Sequence, residues 1–493
     1  MAEAETAPAL NPSGLTHRET VKIVAGVLLP VFMGAMTQTI VASALPTIGD
    51  ELGGKSQLSW VVTAYLLTAT ASVPLYGKIS DIYGRRITLL AAIVIFLAGT
   101  IACAISGSML MLILSRGLQG IGAGGLMSVP VTVLGDVATP RQRAKYYTYF
   151  AASYITAGAV GPLLGGLFAQ YIHWSAIFWF NLPLGVFAFA LCERLLRRLP
   201  RNERRHELDI LGAVLIVLAS SSFMYILNAG GSEYAWASPQ IVGLSVLSTL
   251  LWAAFIVRLL RFREPLIPPG VIRNPVLRDS AMAHSFGWGA IIGLNIYLPL
   301  YLQAVVGMTP ANSGLALMGF MAMVNAGALL GAQLTARLTH YKRPAIIGQG
   351  VAILATLWLA FRSAEMGVWE FQIVMALIGL GFGPTAPLTT VTVQNAVPTH
   401  QLGISLGTMA FIRGMINAML VAAYGVVALH GLDGIDLAGQ SARTAGAAAL
   451  ADRGNVAEAF RLVFLMAVAC FLVAFVYLFR LEERPLTNER STH

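Results

Sequence analysis

Charge is what this sequence has least of. Only 11% of its 493 residues are charged, whereas a soluble domain carries about 25%. Hydrophobic residues make up 57% of the chain, and the mean hydropathy is +0.72. A surface exposed to water cannot be covered with so few charges, so lipid must cover most of it. The composition therefore predicts an integral membrane protein.

Residues that bind metals, form disulfides or hold nucleotides are also scarce. The three cysteines, Cys103, Cys192 and Cys470, lie in apolar runs without CxxC spacing, so we interpret them as small core residues. No P-loop is present, which argues against ATP as the energy source. No cluster of His, Asp or Ser lies in an apolar run at catalytic spacing. The sequence therefore predicts neither an enzyme nor a cofactor site.

Long apolar runs are abundant instead. A helix of about twenty apolar residues crosses ~30 Å of hydrocarbon, and the runs here do not alternate as β-strands in a barrel would. The sequence therefore predicts an all-α polytopic membrane protein with fourteen transmembrane helices. Their approximate spans are 22–44, 58–77, 87–105, 109–133, 146–170, 176–194, 210–229, 240–261, 280–305, 312–337, 344–362, 370–395, 403–429 and 459–480.

Basic residues orient these helices. Most of the 32 lysines and arginines lie in loops on the same side as the N-terminus, and membrane proteins keep such loops in the cytoplasm. The net charge of +9 follows this topology, so we do not interpret it as a sign of nucleic-acid binding. Residues 1–20 lack the features of a cleavable signal peptide. We expect a multi-pass protein of the inner (plasma) membrane with both termini in the cytoplasm.

Basic linkers divide the predicted spans into groups of six, two and six. This grouping predicts two six-helix bundles with an inserted pair of helices between them. The expected parts are a cytoplasmic tail at 1–20, an N-terminal bundle at 21–194, a linker with two additional transmembrane helices at 195–278, a C-terminal bundle at 279–480 and a second cytoplasmic tail at 481–493.

The loop after the second span carries the most specific motif. It reads Gly-Lys-Ile-Ser-Asp-Ile-Tyr-Gly-Arg-Arg over residues 77–86. Its glycines allow close approach and a sharp turn, and Asp81 can pair with an arginine or face the positive end of a helix. Such a loop can form in one conformation and break in another. The predicted latch residues are Gly77, Asp81, Gly84, Arg85, Arg86 and Asp136.

This loop resembles the hallmark motif of the major facilitator superfamily. Residues 114–122 resemble the arginine-and-glycine helix of that superfamily, and residues 157–166 resemble its antiporter signature GxxxGPxxGG, with Ala157 in place of the first glycine. Segments 180–185, 297–303 and 393–414 resemble the fourteen-helix drug:proton antiporter branch of the EmrB/QacA type. The resemblance implies the major facilitator fold, with a central cavity, and a secondary active exporter that works by alternating access.

The signature in span five also has a physical meaning. Its small residues allow helices to approach closely, and a proline within the span removes one backbone hydrogen bond and bends the helix. In the family this signature accompanies export, so the resemblance favours efflux of small amphiphilic compounds, including drugs, over uptake. The residues that carry it are Gly161, Pro162, Gly165 and Gly166.

Polar residues within the spans are candidates for contact with substrate or protons. A buried arginine is costly in a membrane, so Arg116 and Arg413 either face the cavity or are satisfied by backbone carbonyls. His284 can titrate near neutral pH or simply pack. For every candidate a helix-packing hydrogen bond is the alternative. The candidates are Thr37, Gln38, Arg116, Gln119, Tyr154, His284, Asn295, Tyr301, Gln303, Asn325, Arg413 and Asn417.

Acidic residues in the spans are missing where the resemblance leads us to expect one. Antiporters of this branch usually carry an aspartate in span one, but Thr37 fills that position, and none of the 23 acidic residues falls in the middle of a span. Positive charge without an acidic partner repels cations and attracts anions. We therefore predict neutral or anionic amphiphiles as substrates. If protons are coupled, the remaining carriers are Asp136, Asp81 and His284, although Asp136 can instead pair with Arg85.

Two alternatives stay open. A lipid or lipid-conjugate translocase would admit long acyl chains between its helices, and a facilitator would work without a coupling ion. Beyond the lipid bilayer, a small-molecule substrate and protons, the sequence predicts no partner. It leaves open whether a periplasmic adaptor receives the substrate.

Overall fold

The chain is helical almost throughout the residues that the computed structural model describes, which are 16–53, 57–197, 209–231, 234–262, 265–304, 306, 308, 310–338, 340–398, 401–431 and 453–483. In chain order the helices are α1 His17–Leu52, α2 Leu58–Tyr83, α3 Arg85–Ala104, α4 Met109–Val137, α5 Pro140–Tyr171, α6 Ala176–Leu196, α7 Ile210–Ala229, α8 Pro239–Arg261, α9 Pro269–Arg273, α10 Pro275–Ala304, α11 Pro310–Arg337, α12 Arg343–Arg362, α13 Val368–Phe382, α14 Thr385–Ala396, α15 Leu402–Gly431 and α16 Arg453–Arg480. A 3₁₀ turn, Ser363–Glu365, follows α12.

These helices match the predicted spans. Twelve stretches of the described chain are long and apolar enough to cross a membrane by length and composition. Two further helices, α2 and α10, lie where the other two spans are predicted. The prediction of an all-α polytopic protein is therefore confirmed.

Several helices extend a few residues beyond their predicted spans, and α1 and the twelfth span illustrate the physical reasons. Helix α1 is longer at both ends, and it begins after a capping box in which Thr16 and Glu19 satisfy each other's backbone N–H groups. The twelfth span is divided into α13 and α14. The division falls at Gly383 and Pro384, because proline has no N–H group with which to continue the backbone ladder.

The described helices form two compact units. The first contains the described residues up to Asn274 together with Val393–Phe411, and the second contains Pro275–Thr392 and the described residues from Ile412 onward. Helices α7 and α8 therefore group with the first unit, and the start of α15 does as well. The functional division into two bundles and an inserted pair stays a prediction.

Within the first unit, the pair α7 and α8 has aromatic contacts on two sides. Tyr225 of α7 stacks on Trp60 of α2, with ring centroids 4.7 Å apart. Trp252 of α8 lies 6.4 Å from Phe411 of α15. The pair therefore touches both α2 and α15.

Candidate functional site

Asp81 lies in the last turn of α2 and faces the first turn of α15. Its Oδ1 accepts a hydrogen bond from the backbone N–H of Gly403 at 3.1 Å, and its Oδ2 accepts one from Ile404 at 2.8 Å. The N–H groups in the first turn of a helix have no partner within the helix, and this end of the helix carries partial positive charge. The Asp81 carboxylate, only 8% exposed, therefore caps α15.

This contact requires the two backbones to be unusually close. A Cβ atom added to Gly77 would lie 2.5 Å from the carbonyl oxygen of Gly403, and one added to Gly403 would lie 2.5 Å from the carbonyl oxygen of Gly77. Only glycine fits at either position without moving the backbone. The two glycines therefore bring α2 close enough to α15 for Asp81 to reach its N–H groups.

Arg85 joins Asp81 to α4. Its Nη1 donates to Asp81 Oδ1 and, at 2.8 Å, to Ser80 Oγ, while its Nε donates to Asp136 Oδ2 at 2.8 Å. The turn that places Arg85 at the start of α3 is made by Gly84, whose φ of 88° favours glycine. The structure thus pairs Asp136 with Arg85, one of the two roles that its sequence position allowed.

Arg86 points to a different partner. It forms an ion pair with Glu193 of α6, with Nε 2.9 Å from Oε2, and Arg197 binds the same carboxylate at 3.0 Å. The Arg86 side chain is 39% exposed, in contrast to the buried Arg85. The two neighbouring arginines of the motif therefore lie in separate contacts.

A second buried cluster lies beside this latch, and its arginine, Arg143, is not among the candidates predicted from the sequence. Arg143 of α5 is 1% exposed and donates to the carbonyl oxygens of Ala138, at 2.9 Å, and Gln394, at 3.2 Å. Gln394 in turn donates from Nε2 to the Val131 carbonyl and to Tyr147 Oη, both at 3.1 Å. In the sequence Arg143 is one of several basic residues in a linker, and nothing in that pattern marks it as buried.

The span-five signature packs against α1. A Cβ atom on Gly165 would overlap the backbone carbonyl oxygen of Ile40, and one on Gly161 would overlap the hydroxyl of Thr39. A Cβ atom on Gly166 would meet nothing within 4 Å. Helix α5 runs through Pro162 without ending. Two of the three signature glycines are thus required by the α1–α5 contact.

Arg116 and Gln119 form a buried network among α2, α3 and α4. Arg116 is fully buried, and it donates to the Val61 carbonyl at 3.0 Å and to Gln119 Oε1 at 2.6 Å. Its guanidinium lies 4.1 Å above the ring of Tyr65, a favourable cation–π geometry. Gln119 Nε2 donates to Thr100 Oγ1 at 2.8 Å. Within the described chain, Arg116 Nη2 has no hydrogen-bond partner.

The other candidates of the first unit lie on α1 and α5. Thr37 is buried and donates to the carbonyl of Met33, one turn earlier on its own helix, at 2.8 Å. Gln38 is half-buried, with Nε2 3.8 Å from Met127 Sδ, and Tyr154 is exposed. Thr37, which occupies the family's acidic position, is therefore satisfied within its own helix.

His284 of α10 lies between a threonine and an arginine in the second unit. Its Nδ1 is 3.3 Å from Thr389 Oγ1, and its Nε2 is 3.4 Å from Arg413 Nη1. A guanidinium can only donate hydrogen bonds, so Nε2 must be the acceptor and the imidazole is neutral in this arrangement. The hydrogen of the ring therefore sits on Nδ1 and faces Thr389. The structure thus brings two of the sequence candidates, His284 and Arg413, together.

The remaining candidates of the second unit are not gathered around His284. Tyr301 is fully buried in an aromatic cluster, 5.4 Å from the ring of Phe464. Asn325 donates to Met321 on its own helix at 2.8 Å. Asn295 and Asn417 are half-buried. The side chain of Gln303 lies outside the described part of the chain.

Comparison with known proteins agrees with this arrangement of helices. The profile of the Major Facilitator Superfamily matches residues 27–421. The chain belongs to the major facilitator superfamily. It is therefore a multi-pass membrane protein of a family of transporters, and the resemblance read from the sequence is confirmed.

Named relatives support the same conclusion. The multidrug transporter protein MdtP of Bacillus subtilis (strain 168) is 31% identical over 420 residues, which cover 85% of this chain and 77% of that protein. The efflux pump dotC of Dothistroma septosporum is 30% identical over 406 residues, which cover 81% of this chain and 69% of that protein.

Two solved structures share the fold at low sequence identity. The human organic anion transporter MFSD10 (TETRAN) has a TM-score of 0.63 and 15% identity, with 93% of this chain and 99% of that chain covered. The proton:xylose symporter XylE has a TM-score of 0.60 and 10% identity, with 94% and 96% covered. At these identities the likeness shows the fold alone.

Proposed function

We propose that this transporter exports small amphiphilic compounds across the inner (plasma) membrane by alternating access, with both termini in the cytoplasm. Relatives that are named multidrug transporters and efflux pumps support export. The observation that carries the mechanism is the contact of the Asp81 carboxylate with the first turn of α15. It is a small polar contact that can form and break without unfolding a helix.

The strength of this latch suits a reversible switch. Opening it exchanges the bonds of Asp81 to Gly403 and Ile404 for bonds to water. Hydrogen bonds to a charged group contribute roughly 1.5–3 kcal/mol each, so the two together hold the closed form by a few kcal/mol. A substrate that binds the open form more tightly by a similar amount would shift the population.

The latch is tested by replacing its carboxylate. Asp81→Ala should impair transport in proteoliposomes while the protein still inserts into the membrane, because only the capping contact and the pair with Arg85 are lost. Glu193→Ala, which removes a partly exposed acid from the neighbouring Arg86 pair, is the matched control and should transport nearly normally. Normal transport by Asp81→Ala would refute the assignment of the latch.

Neutral or anionic amphiphiles are the substrates that the charges favour. Arg116 has cation–π and carbonyl contacts but, among the described residues, no acidic partner. Its unpaired Nη2 could bind an anionic or hydrogen-bonding group once the helices around it move apart. Transport of a panel of cationic, neutral and anionic compounds in proteoliposomes tests this. Efficient export of ethidium-like cations, together with no export of the acidic and neutral compounds, would rule the idea out.

Proton coupling is the finer part of the proposal, and His284 is the carrier that the contacts favour. Protonation of His284 would remove the acceptor that Nε2 offers to Arg413 and place two positive charges side by side, which would push the Arg413 guanidinium away. Arg413 lies on α15, the helix whose first turn binds Asp81. A proton on His284 could therefore act on the latch through one helix.

The coupling is tested with an imposed pH gradient. His284→Gln keeps a hydrogen-bonding side chain but cannot titrate, so it should still exchange substrate across the membrane at equal pH while losing acceleration by the gradient. Thr389→Ala, which removes only the neighbour on the Nδ1 side, should keep the acceleration. An unchanged gradient response in His284→Gln would transfer the role to Asp81 or Asp136. If the pH gradient does not accelerate transport by the wild-type protein, an uncoupled facilitator is favoured. If the wild-type protein moves lipid conjugates in the same vesicles, the translocase is favoured.

A further inference from the structure

A groove of about 530 Å³ lies among α2, α7 and α8 in the first unit. Sites for small molecules are typically about 300–1,000 Å³, so the groove is large enough to hold one ligand. Asp81, Arg116 and His284 are not among the residues that line this groove. The lining residues are Leu67, Ser221, Ser222, Tyr225, Tyr234, Gln240, Ile241 and Leu244.

The wall of the groove selects against charge. Five of the lining side chains carry a hydroxyl or an amide, and the other three are aliphatic. None of these eight side chains, which form the wall within the described part of the chain, is ionised, so beside them a charged group would lose hydration without gaining a counter-charge. Hydroxyls and ester carbonyls would instead find donors and acceptors. The chemistry of the wall therefore fits an uncharged molecule with both hydrogen-bonding and apolar parts.

The polar part of the wall stands on fixed elements. Tyr225 is stacked on Trp60 of α2. Tyr234 is held in the turn after α7, where its N–H donates to the Ala229 carbonyl at 3.0 Å and its carbonyl accepts from Gly231 at 2.8 Å. Gly231 has a φ of 79°, which the turn requires. The hydrogen-bonding groups are therefore preorganised and do not depend on a ligand to order them.

The groove also adjoins surface that faces lipid. On α8, Ile241 is buried and Leu244 half-buried toward the groove, whereas Val242 and Val246 are more than half exposed on the outer face. Tyr234 and the exposed Trp236 lie at the end of the helix pair, as aromatic residues do at a membrane interface. A ligand with its head at Tyr234 could therefore extend its chains past Leu244 into the bilayer.

We propose that this groove binds one uncharged glycerolipid of the bilayer. The head-group hydroxyl would bond to Tyr234 and Gln240 at the rim. An ester carbonyl would lie near the hydroxyl of Ser221, deeper along α7, and an acyl chain would pack on Leu67 and Leu244. The lipid would fill the space between α2 and the inserted pair of helices.

Photo-labelling of the purified protein in nanodiscs tests the proposal. The probe is a diacylglycerol with a diazirine on one acyl chain, and adducts are mapped by mass spectrometry. We expect adducts to concentrate on the groove residues and unlabelled diacylglycerol to compete, whereas phosphatidylglycerol with the same chains competes poorly. Even labelling of all lipid-exposed helices, or equal competition by the two lipids, would overturn the proposal. The proposal would also be overturned if an exported drug displaced the photo-probe at a lower concentration than diacylglycerol does.

Variants locate the site. Leu244→Trp should fill the groove and abolish its labelling, while the matched Val246→Trp on the outer face of α8 should keep it. If Leu244→Trp does not fold, the pair Ser221→Ala and Ser222→Ala keeps the test, because it removes hydroxyls without adding volume. That pair should weaken competition by diacylglycerol about fivefold, which corresponds to about 1 kcal/mol. Unchanged competition in the folded variants would contradict the assignment.

Discussion

Two adjacent glycines in α5 should respond in opposite ways to the same substitution. A Cβ atom on Gly165 would overlap the carbonyl oxygen of Ile40 and the hydroxyl of Ser43 on α1, whereas one on Gly166 would meet nothing within 4 Å. We expect Gly165→Ala to destabilise the protein and Gly166→Ala to stabilise it slightly. The pair is matched because the two changes add the same methyl group to the same helix.

The size of the difference follows from the contacts. Alanine gains about 1 kcal/mol over glycine inside a helix, and this gain applies to both variants. Overpacking costs typically about 1–3 kcal/mol, and only Gly165→Ala incurs it. The helix-propensity gain cancels in the comparison, so the two variants should differ by about 1–3 kcal/mol.

A rescue experiment at Gly161 separates side-chain overlap from backbone overlap. The nearest atom to a Cβ on Gly161 is the hydroxyl oxygen of Thr39, so Thr39→Ala should restore much of the stability that Gly161→Ala loses. At Gly165 the nearest atom is a backbone oxygen, so no truncation on α1 can remove it. Ser43→Ala should therefore leave Gly165→Ala destabilised.

Thermal unfolding of the purified variants in one detergent is the assay. Because membrane proteins of this size commonly unfold irreversibly, the ranking of midpoints at a fixed heating rate is compared rather than absolute free energies. The expected order is Gly166→Ala above wild type, and wild type above Gly165→Ala. An order with Gly165→Ala equal to or above Gly166→Ala would show that α1 and α5 do not pack through this face.

Three further predictions concern the latch and the charges around it. Gly403→Ala should lower proteoliposome transport about tenfold or more, because the added Cβ would lie 2.5 Å from the Gly77 carbonyl oxygen. The resulting overpacking, about 1–3 kcal/mol, would hold the latch open. Gly407→Ala is the control and should lower transport much less, because the nearest atom to its added Cβ is 3.1 Å away. Thr37→Asp should add export of ethidium-like cations, measured by fluorescence, because it places a carboxylate in the middle of a span, where the sequence has none. Thr37→Asn is the neutral control. Arg86→Gln should leave transport and unfolding midpoint close to wild type, because its ion pair with Glu193 is partly exposed to solvent. A loss as large as that of Asp81→Ala would contradict the separation of the two arginines.

The sequence was sufficient for the helices because lipid imposes a simple rule. Every backbone polar group must be satisfied within the span, so length and apolarity alone identify the helices. The break between α13 and α14 was harder to see, since one stretch apolar enough to cross a membrane, Val368–Ala396, runs across both helices. Hydropathy measures the composition of a span, whereas the break depends on one missing N–H group.

The latch was partly predictable, because one side of it is a local motif and the other side is not. The glycines, Asp81 and the arginines lie within ten residues of each other, so their types and spacing carry a signal. On the other side, Gly403 contributes its N–H group and the lack of a side chain, and Ile404 contributes only its backbone N–H group. Any residue type supplies such a group, so no pattern around position 404 reveals that it faces a carboxylate.

Arg116 shows why a charge in a span identifies a position but not its role. The sequence places it among apolar residues, which requires that something satisfy it. In the structure a carbonyl of Val61, the amide of Gln119 and the ring of Tyr65 do so. None of these partners is charged, so among the described residues no counter-charge compensates the buried Arg116. Tyr65→Phe keeps the aromatic ring, so it does not distinguish a structural role of Arg116 from a substrate-binding role. Arg116→Lys does distinguish the two roles. A lysine cannot reach several partners with a planar fork, so a structural role predicts a lower unfolding midpoint with unchanged substrate preference. A binding role predicts reduced export of anionic compounds relative to neutral ones at an unchanged midpoint.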